Sequence, residues 1–134
     1  MNKERTILII KPDAVKNKKI GEIITIIENK FEIIKIKKKK ISLEKAKKFY
    51  KEHEKKTFFN NLINFLSSSD SVIILLEGIN VIELTRNIIG NNNPSLSSPE
   101  TIRNKYGKNI EENAVHASDS KISAIREINF FFKK

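Results

Sequence analysis

The chain has 134 residues, a formal net charge of +10 at pH 7 and no cysteine. This length suits one domain with a real core, so we expect a single domain over residues 1–134. Its composition excludes a collagen-like or low-complexity chain, and the lack of cysteine excludes disulfides, a thiol nucleophile and cysteine-ligated zinc.

The apolar segments are short. None approaches the ~20 residues of a membrane span, and the first five residues lead into a strand-like segment instead of a signal peptide. We therefore expect a cytoplasmic protein with no membrane partner. The positive charge is compatible with nucleic-acid binding, but 22 Lys against 4 Arg is also what A/T-rich codons produce, so charge alone does not indicate a specific nucleic-acid site.

The first half of the chain alternates strands and helices. The apolar run before Pro12 predicts a central strand over residues 5–11, buried on both faces. Isoleucines at helical spacing from Ile20 to Ile27 predict an amphipathic helix. Residues 32–41 predict a strand whose lysine run at 37–40 indicates an exposed edge, protected against aggregation. Ser42 is the predicted N-cap of a helix through Tyr50.

The second half continues this alternation. Residues 58–66 predict a helix, 72–76 a buried strand, and Asn80 the N-cap of a helix that ends near Gly90. Ser98 has the signals of a cap for a short helix over 101–106. A short strand is expected near His116, and a last helix has Ile122, Ile125 and Ile128 as its apolar positions. This order predicts an α/β or α+β fold with helices over a small sheet.

Histidine is the candidate for covalent chemistry. The four glycines fit neither the P-loop nor the GxGxxG pattern, and the catalytic sequences of protein kinases are absent. Phosphoryl transfer would then need a different catalytic group. A neutral imidazole can serve, because it can attack phosphorus to form a covalent intermediate. His116 lies in a polar setting before Ser118 and Asp119, whereas we expect His53 on a solvated helix face, outside any site.

Two arginines flank the loop at residues 92–100. Arg86 and Arg103 belong to a set of only four, and an arginine in a lysine-rich chain indicates a position that needs a planar, bidentate donor. Both can converge on phosphates, or both can be ordinary arginines on a helix surface.

Taken in order, these segments resemble the nucleoside diphosphate kinases over nearly the whole chain. The matching segments are residues 4–6 with 11–15, 20–24, Tyr50 with 58–59, 77–78 with 80–81, Arg86, Gly90, 93–94, 101–103 and 113–120. The resemblance implies an α+β, ferredoxin-like βαββαβ sandwich with a four-stranded antiparallel sheet covered by helices. It also implies ping-pong transfer of the γ-phosphate of a nucleoside triphosphate, mainly ATP, to a nucleoside diphosphate.

The same resemblance assigns roles to individual residues. His116 would become the phosphohistidine, with Lys11 near the transferring phosphate, Tyr50 beside the imidazole and Glu127 orienting it. The substrate-binding residues would be Lys11 and Asn113 on the ribose, Arg86, Asn92 and Arg103 on the phosphates, and Phe58 and Ile110 on the two sides of the base. Stacking accepts every base, so broad nucleotide specificity follows. Mg²⁺ would arrive on the phosphates, without a protein metal site.

Five positions depart from the family pattern. Asn92 replaces the usual Thr, Lys56 an Arg, Ala117 a Gly, and Asn104-Lys105 a small residue followed by Asp. We expect changed nucleotide affinity or subunit contacts, with catalysis retained. The end at Lys134 leads us to expect that the chain lacks the longer tail that joins subunits in many members. We expect a homo-oligomer built from dimers, with hexamer and tetramer left open.

Two other readings stay open. One is a nucleic-acid-binding module, which would need exposed aromatic residues on the sheet; secondary, non-specific DNA binding through Lys35–Lys40 is also possible. The other is a catalytically silent relative of the kinases. Retention of the predicted site residues argues against it.

Overall fold

The computed structural model describes residues 3–132, so the first two and last two residues of the predicted domain lie outside the described residues. Its four strands are β1 (Lys3–Ile10), β2 (Glu32–Lys40), β3 (Asp70–Ile79) and β4 (Val115–Ala117). They form one antiparallel sheet in the order β2-β3-β1-β4. The helices are α1 (Pro12–Lys16), α2 (Ile20–Glu28), α3 (Leu43–Phe49), α4 (Phe59–Leu66), α5 (Val81–Ile89), α6 (Ile102–Tyr106) and α7 (Lys121–Phe132), with 3₁₀ turns at Lys51–His53 and Pro94–Leu96. The predicted ferredoxin-like α+β fold is confirmed.

Helices cover both faces of the sheet. Alternate residues of β1 point to opposite layers: Leu8 and Ile10 pack with α2 and α5, whereas Ile7 and Ile9 pack with α3, α4 and α7. All four side chains are fully buried. Each such side chain contributes about 1.5–3 kcal/mol through burial, which explains why the central strands read as continuous apolar runs.

Strand β2 is an edge strand, as its lysine run predicted. Lys37 does not point freely into solvent. Its ammonium donates a hydrogen bond to the carbonyl of Phe131 and lies 4.7 Å from the ring centre of Phe132. A cation near the last turn of α7 is favourable because the unpaired carbonyl groups there carry partial negative charge. Lys37 therefore fastens the edge strand to the last helix.

One predicted helix cap is wrong, and a second lacks its side-chain contact. Asn80 is the N-cap of α5 as predicted, but it adopts a left-handed conformation with φ of 54° and its side chain makes no capping hydrogen bond. The cap of α6 is Thr101 instead of Ser98, because the Thr101 side chain accepts from the backbone N–H of Asn104. The cap predicted at Ser42 is confirmed, since its hydroxyl accepts from the N–H of Lys45 at 3.1 Å.

Of the three apolar positions predicted for α7, only Ile128 packs against the core, where it is partly buried. Ile122 and Ile125 are 82% and 55% exposed, whereas Ala124, Glu127 and Phe131 are buried. The helix is rotated so that the Glu127 carboxylate faces His116 of the sheet. None of the helices between residues 3 and 132 is long and apolar enough to cross a bilayer.

Candidate active site

An open cleft of about 240 Å³ lies where β4, α5, α6 and α7 meet. The predicted site residues that line it are Tyr50, Arg86, Asn92, Arg103, His116 and Glu127. These residues come from six separate segments, so the antiparallel sheet and the helices packed on it bring them together.

His116 is held by a buried carboxylate. It lies on β4 opposite Ile9 of β1, and its side chain is 21% exposed. Its Nε2 is 3.0 Å from Oε1 of Glu127, and the hydroxyl of Ser118 donates to the same oxygen at 2.8 Å. A carboxylate only accepts, so Nε2 carries the proton and donates it. The lone pair is then on Nδ1, the nitrogen that can act as a nucleophile.

Aromatic rings fix the plane of the His116 imidazole. The rings of Phe49 and Tyr50 meet it edge-on at centroid distances of 5.1 and 6.5 Å. Burial raises the pKa of Tyr50, and the negative charge of Glu127 raises it further. The phenol therefore stays neutral and can donate a hydrogen bond throughout the working pH range.

Arg103 is a buried cation whose bound acceptors are neutral. It is 5% exposed, and it donates to the carbonyls of Gly90 and Val115 and to Oδ1 of Asn92, at 2.9 to 3.1 Å. Burial, and secondarily the charge of Arg86, lowers its pKa to about 10. The neutral acceptors orient the guanidinium without cancelling its charge, so a positive charge remains in the cleft and can bind an anion.

Lys11 extends this network from the end of β1. Its Nζ donates to Oδ1 of Asn113 at 2.9 Å and to the carbonyl of Glu111 at 3.1 Å. Asn113 in turn donates to the carbonyl of Asn92 at 3.0 Å. Burial lowers the pKa of Lys11 to about 8, with partial compensation from Asp13. The three predicted residues Lys11, Asn92 and Asn113 are thus joined to Arg103 in one hydrogen-bonded chain.

A second region beside this network carries the residues predicted for the base. Phe58 is 45% exposed just before α4, and Ile110 is 61% exposed on the loop before β4. Asn61 of α4 donates to the Glu111 carboxylate at 3.3 Å, which joins the two segments. The ammonium of Lys56 lies 5.5 Å from the centre of the Phe58 ring.

Several lining residues were missed by the sequence predictions, and two of them, His53 and Arg126, carry ionisable side chains of the kinds the predictions considered. His53, expected on a solvated face, lines the cleft and has its ring 6.1 Å from that of Tyr50. The sequence signal for this placement was that His53 follows the predicted site residue Tyr50 by only three positions. Arg126 also lines the cleft, lies over the Phe49 ring at 5.6 Å and pairs with Glu52 at 3.7 Å. Arg126 is one of the same four arginines in this lysine-rich chain, so its residue type gave the same signal as Arg86 and Arg103.

A protein-held metal would need a cluster of acidic or histidine ligands. Over the described range 3–132, three or more such side chains do not gather closely enough to hold a metal ion. The cleft is lined by Arg86 and Arg103 instead, and Lys11 is joined to Arg103 through Asn113 and Asn92, which suits phosphate oxygens.

Gly90 supports the site through its backbone. It has a φ of +89°, and a Cβ there would lie 2.0 Å from the Ser97 hydroxyl. We expect Gly90→Ala to lower the free energy of unfolding by about 2–4 kcal/mol, measured by urea denaturation, because strain and overlap add. Gly21→Ala is the control: nothing lies within 4 Å of a Cβ on this α2 residue, so a gain of about 0.5–1 kcal/mol is expected. Equal losses in both variants would contradict the argument.

Comparisons with known proteins agree with this geometry. A family model described as "Nucleoside diphosphate kinase" matches residues 4–134. The nucleoside diphosphate kinase of Methanocaldococcus jannaschii is 48% identical over 133 residues, which cover 98% of this chain and 95% of the relative. The crystal structure of the Aquifex aeolicus nucleoside diphosphate kinase has a TM-score of 0.95 at 38% identity, covering 98% of this chain and 96% of that one.

A third match is a complex. The nucleoside diphosphate kinase of Halobacterium salinarum, solved with CDP, has a TM-score of 0.96 at 34% identity and covers 99% of this chain and 90% of that one. Family model, sequence relative and solved structures agree over almost the full length, and the resemblance predicted from sequence is confirmed. The chain belongs to the nucleoside diphosphate kinase family.

Proposed function

We propose that His116 is the nucleophile of the nucleoside diphosphate kinase reaction in this chain. The observation that carries the proposal is the Ser118–Glu127–His116 arrangement beside the cations of the cleft. Nδ1 would attack the γ-phosphorus of a nucleoside triphosphate, mainly ATP. The N–P bond forms as the bond to the bridging oxygen breaks, and the nucleoside diphosphate leaves with that electron pair. A second diphosphate then takes the phosphoryl group and restores His116.

Charge stabilisation in this step comes from the residues proposed to hold the phosphates. Arg86 and Arg103 supply guanidinium groups, and Lys11 a buried ammonium near the transferring group. Asn92 accepts from Arg103 through Oδ1, which leaves its amide NH₂ to donate to a phosphate oxygen. An asparagine can therefore replace the threonine that is usual at this position. Tyr50 lies beside the imidazole as a neutral donor.

Nucleotide binding would use the network and the exposed ring. We assign Lys11 and Asn113 to the ribose hydroxyls, Phe58 to stacking on the base, and Ile110 to its other side. A ring face binds purines and pyrimidines alike, so broad specificity follows. The CDP bound to the halophilic relative supports a pyrimidine as one of the bases accepted.

We propose that the divalent cation is Mg²⁺ and that it enters as part of the nucleotide. Mg²⁺ keeps several waters and binds phosphate oxygens readily, so it needs few protein ligands. The cationic cleft fits a metal-nucleotide substrate better than a resident metal. We also propose a single domain over residues 1–134 that assembles into a homo-oligomer of dimers, hexamer or tetramer, which native mass spectrometry distinguishes. A cytoplasmic location stays a prediction.

The two other readings receive less support. A nucleic-acid module of this topology presents one sheet face to bases, whereas helices cover both faces here. Lys37, the first residue of the lysine run, donates a hydrogen bond to the last turn of α7. A catalytically silent relative would not need a buried Glu127 bonded to His116. Secondary DNA binding through Lys35–Lys40 stays a prediction, and its absence at low and high salt would remove it.

Phosphate exchange is the direct test. With γ-labelled ATP and Mg²⁺, we expect label to reach GDP, UDP, CDP and dTDP with rates within about tenfold of one another, or about 1.4 kcal/mol. EDTA should stop the transfer. Folded protein that moves no label to any diphosphate would contradict the proposal.

A further inference from the structure

The turn before β4 is strained. Ala114 has a φ of +77°, a conformation that residues with a Cβ rarely adopt. The N–H of Val115 donates to the carbonyl of Asn113 at 2.9 Å, so Ala114 is the centre of a γ-turn of the rare, strained kind. Such a turn persists only where its surroundings hold it. This turn joins Asn113 to the strand of His116.

The junction between β1 and α1 holds Ala114 on both sides. The Oδ2 of Asp13 accepts from the N–H of Ala114 at 2.9 Å, and the N–H of Lys11 donates to its carbonyl at 2.8 Å. Asp13 is 7% exposed. Its second oxygen, Oδ1, is buried without a hydrogen-bond partner among residues 3–132. The backbone N–H groups of Asp13 and Ala14 also lower the pKa of this carboxyl, so groups on both sides of the junction stabilise its charged form.

The charge of Asp13 acts on Lys11. Four charged groups influence the ammonium: Asp13 on α1, Glu111 and Glu112 on the loop before β4, and Arg103 on α6. Burial lowers the pKa of Lys11 to about 8, and of these four groups Asp13 has the largest effect, in the opposite direction. In return, Lys11 lowers the pKa of Asp13, which burial raises. The two buried groups are coupled across the junction.

We propose that Asp13 is a positioning residue of this site. Its carboxylate holds the strained turn at Ala114, which sets the positions of Asn113 and His116, and its charge keeps Lys11 protonated. The inference rests on the proposed function, since it concerns residues assigned to that site. Asp13 itself is not assigned contact with the nucleotide.

The pH profile of kcat/KM separates this role from a merely structural one. We expect the wild type to lose activity above a midpoint near pH 8, where Lys11 loses its proton. Asp13→Asn keeps an oxygen for the Ala114 N–H but removes the charge, so the midpoint should move down by about one pH unit. Asp13→Glu keeps the charge and should leave the midpoint in place. Damage to the fold alone would lower the rate without moving the midpoint.

A matched control comes from α2. Glu22 accepts from Tyr106 at 2.9 Å and from Lys19 at 3.2 Å, outside the cleft. Glu22→Gln changes an acid to an amide, as Asp13→Asn does, and should leave the midpoint unmoved. The Lys11 titration is also measured without turnover, from its ¹³Cε resonance in lysine-labelled protein, identified by its loss in Lys11→Arg.

The turn is tested by a second pair of variants. Asp13→Ala removes both the acceptor and the charge and should lower the urea midpoint. Adding Ala114→Gly should recover much of that loss, because glycine adopts a positive φ without strain. The Lys11 titration midpoint should stay low in the double variant, since the charge is still missing.

Each result decides the proposal. An Asp13→Asn protein whose Lys11 titrates as in the wild type would overturn the role of the charge. A double variant no more stable than Asp13→Ala would overturn the role in the turn. Wild-type protein without phosphate exchange would contradict the proposed function instead, while the ¹³C titration and the urea midpoints would still test Asp13.

Discussion

His116→Ala should abolish both the phosphoenzyme and phosphate exchange. After incubation with γ-labelled ATP and Mg²⁺, we expect the wild type to carry an acid-labile, base-stable label that chases into GTP when GDP is added. The variant should carry none, and its exchange rate should fall by at least about 10³-fold, or about 4 kcal/mol. The physical reason is that Glu127 and Ser118 orient this imidazole and no other.

The second histidine provides the control. His53 lines the same cleft but bonds to neither Glu127 nor Ser118 in the arrangement described, and its nearest acid is the exposed Glu52 at 3.7 Å. His53→Ala should therefore keep the label and its chase, whatever it does to KM. If the label persists in His116→Ala, or disappears only in His53→Ala, His116 is not the nucleophile.

Arg86→Ala should produce the second largest loss. Arg86 is half-buried, and its guanidinium donates to the carbonyl of Ala117, the residue after His116, at 3.3 Å. A phosphoryl group on His116 would add charge beside it, so removal should lower kcat by about 10²–10³-fold. Arg86→Lys should recover only part of this, because a point charge cannot replace a planar fork. Single-turnover rates of label formation measure the effect.

The matched control is a surface arginine. Arg5 is 51% exposed and pairs with Glu77 at 2.9 Å, outside the cleft. Arg5→Ala removes the same group but should change the exchange rate by no more than about twofold, because exposed ion pairs contribute little. Similar losses in both variants would show that Arg86 acts through stability or net charge. Thermal unfolding of both proteins separates these cases.

Much of the fold could be predicted from apolar patterns. Strands β1 and β3 are continuous apolar runs because helices cover both faces of the sheet, and β2 was placed at an edge by its lysines. The face of α7 could not be predicted in this way. Isoleucines at helical spacing predicted the buried side, but the helix places Glu127 inside. The burial of that carboxylate is compensated by its hydrogen bond with His116, 11 residues away in sequence, which an apolar pattern does not reveal.

The candidate site was predictable only through resemblance. The local sequence around His116 alone favours an ordinary surface or core histidine over a catalytic one, and the geometry of the site comes from contacts distant in sequence. The γ-turn at Ala114 carries no sequence signal, because positive φ is usually signalled by glycine or asparagine. His53 was predicted on a solvated face because its sequence neighbours are charged. Charged neighbours indicate a surface segment, but they do not show whether that segment lines a cleft formed with other elements.

The pairing of β1 with β4 has a consequence for how the protein is made. Lys11 meets Asn113, and Asp13 meets Ala114, across separations of 102 and 101 residues. Contacts between residues so far apart in sequence form slowly, because the long intervening segment must first be closed into a loop. During synthesis, Lys11 emerges early, but its hydrogen bonds to Asn113 and Glu111 can form only after the last quarter of the chain has been made. A nascent chain that ends before residue 113 therefore lacks these contacts of the site, and we expect it to have no phosphate-exchange activity until the polypeptide is nearly complete.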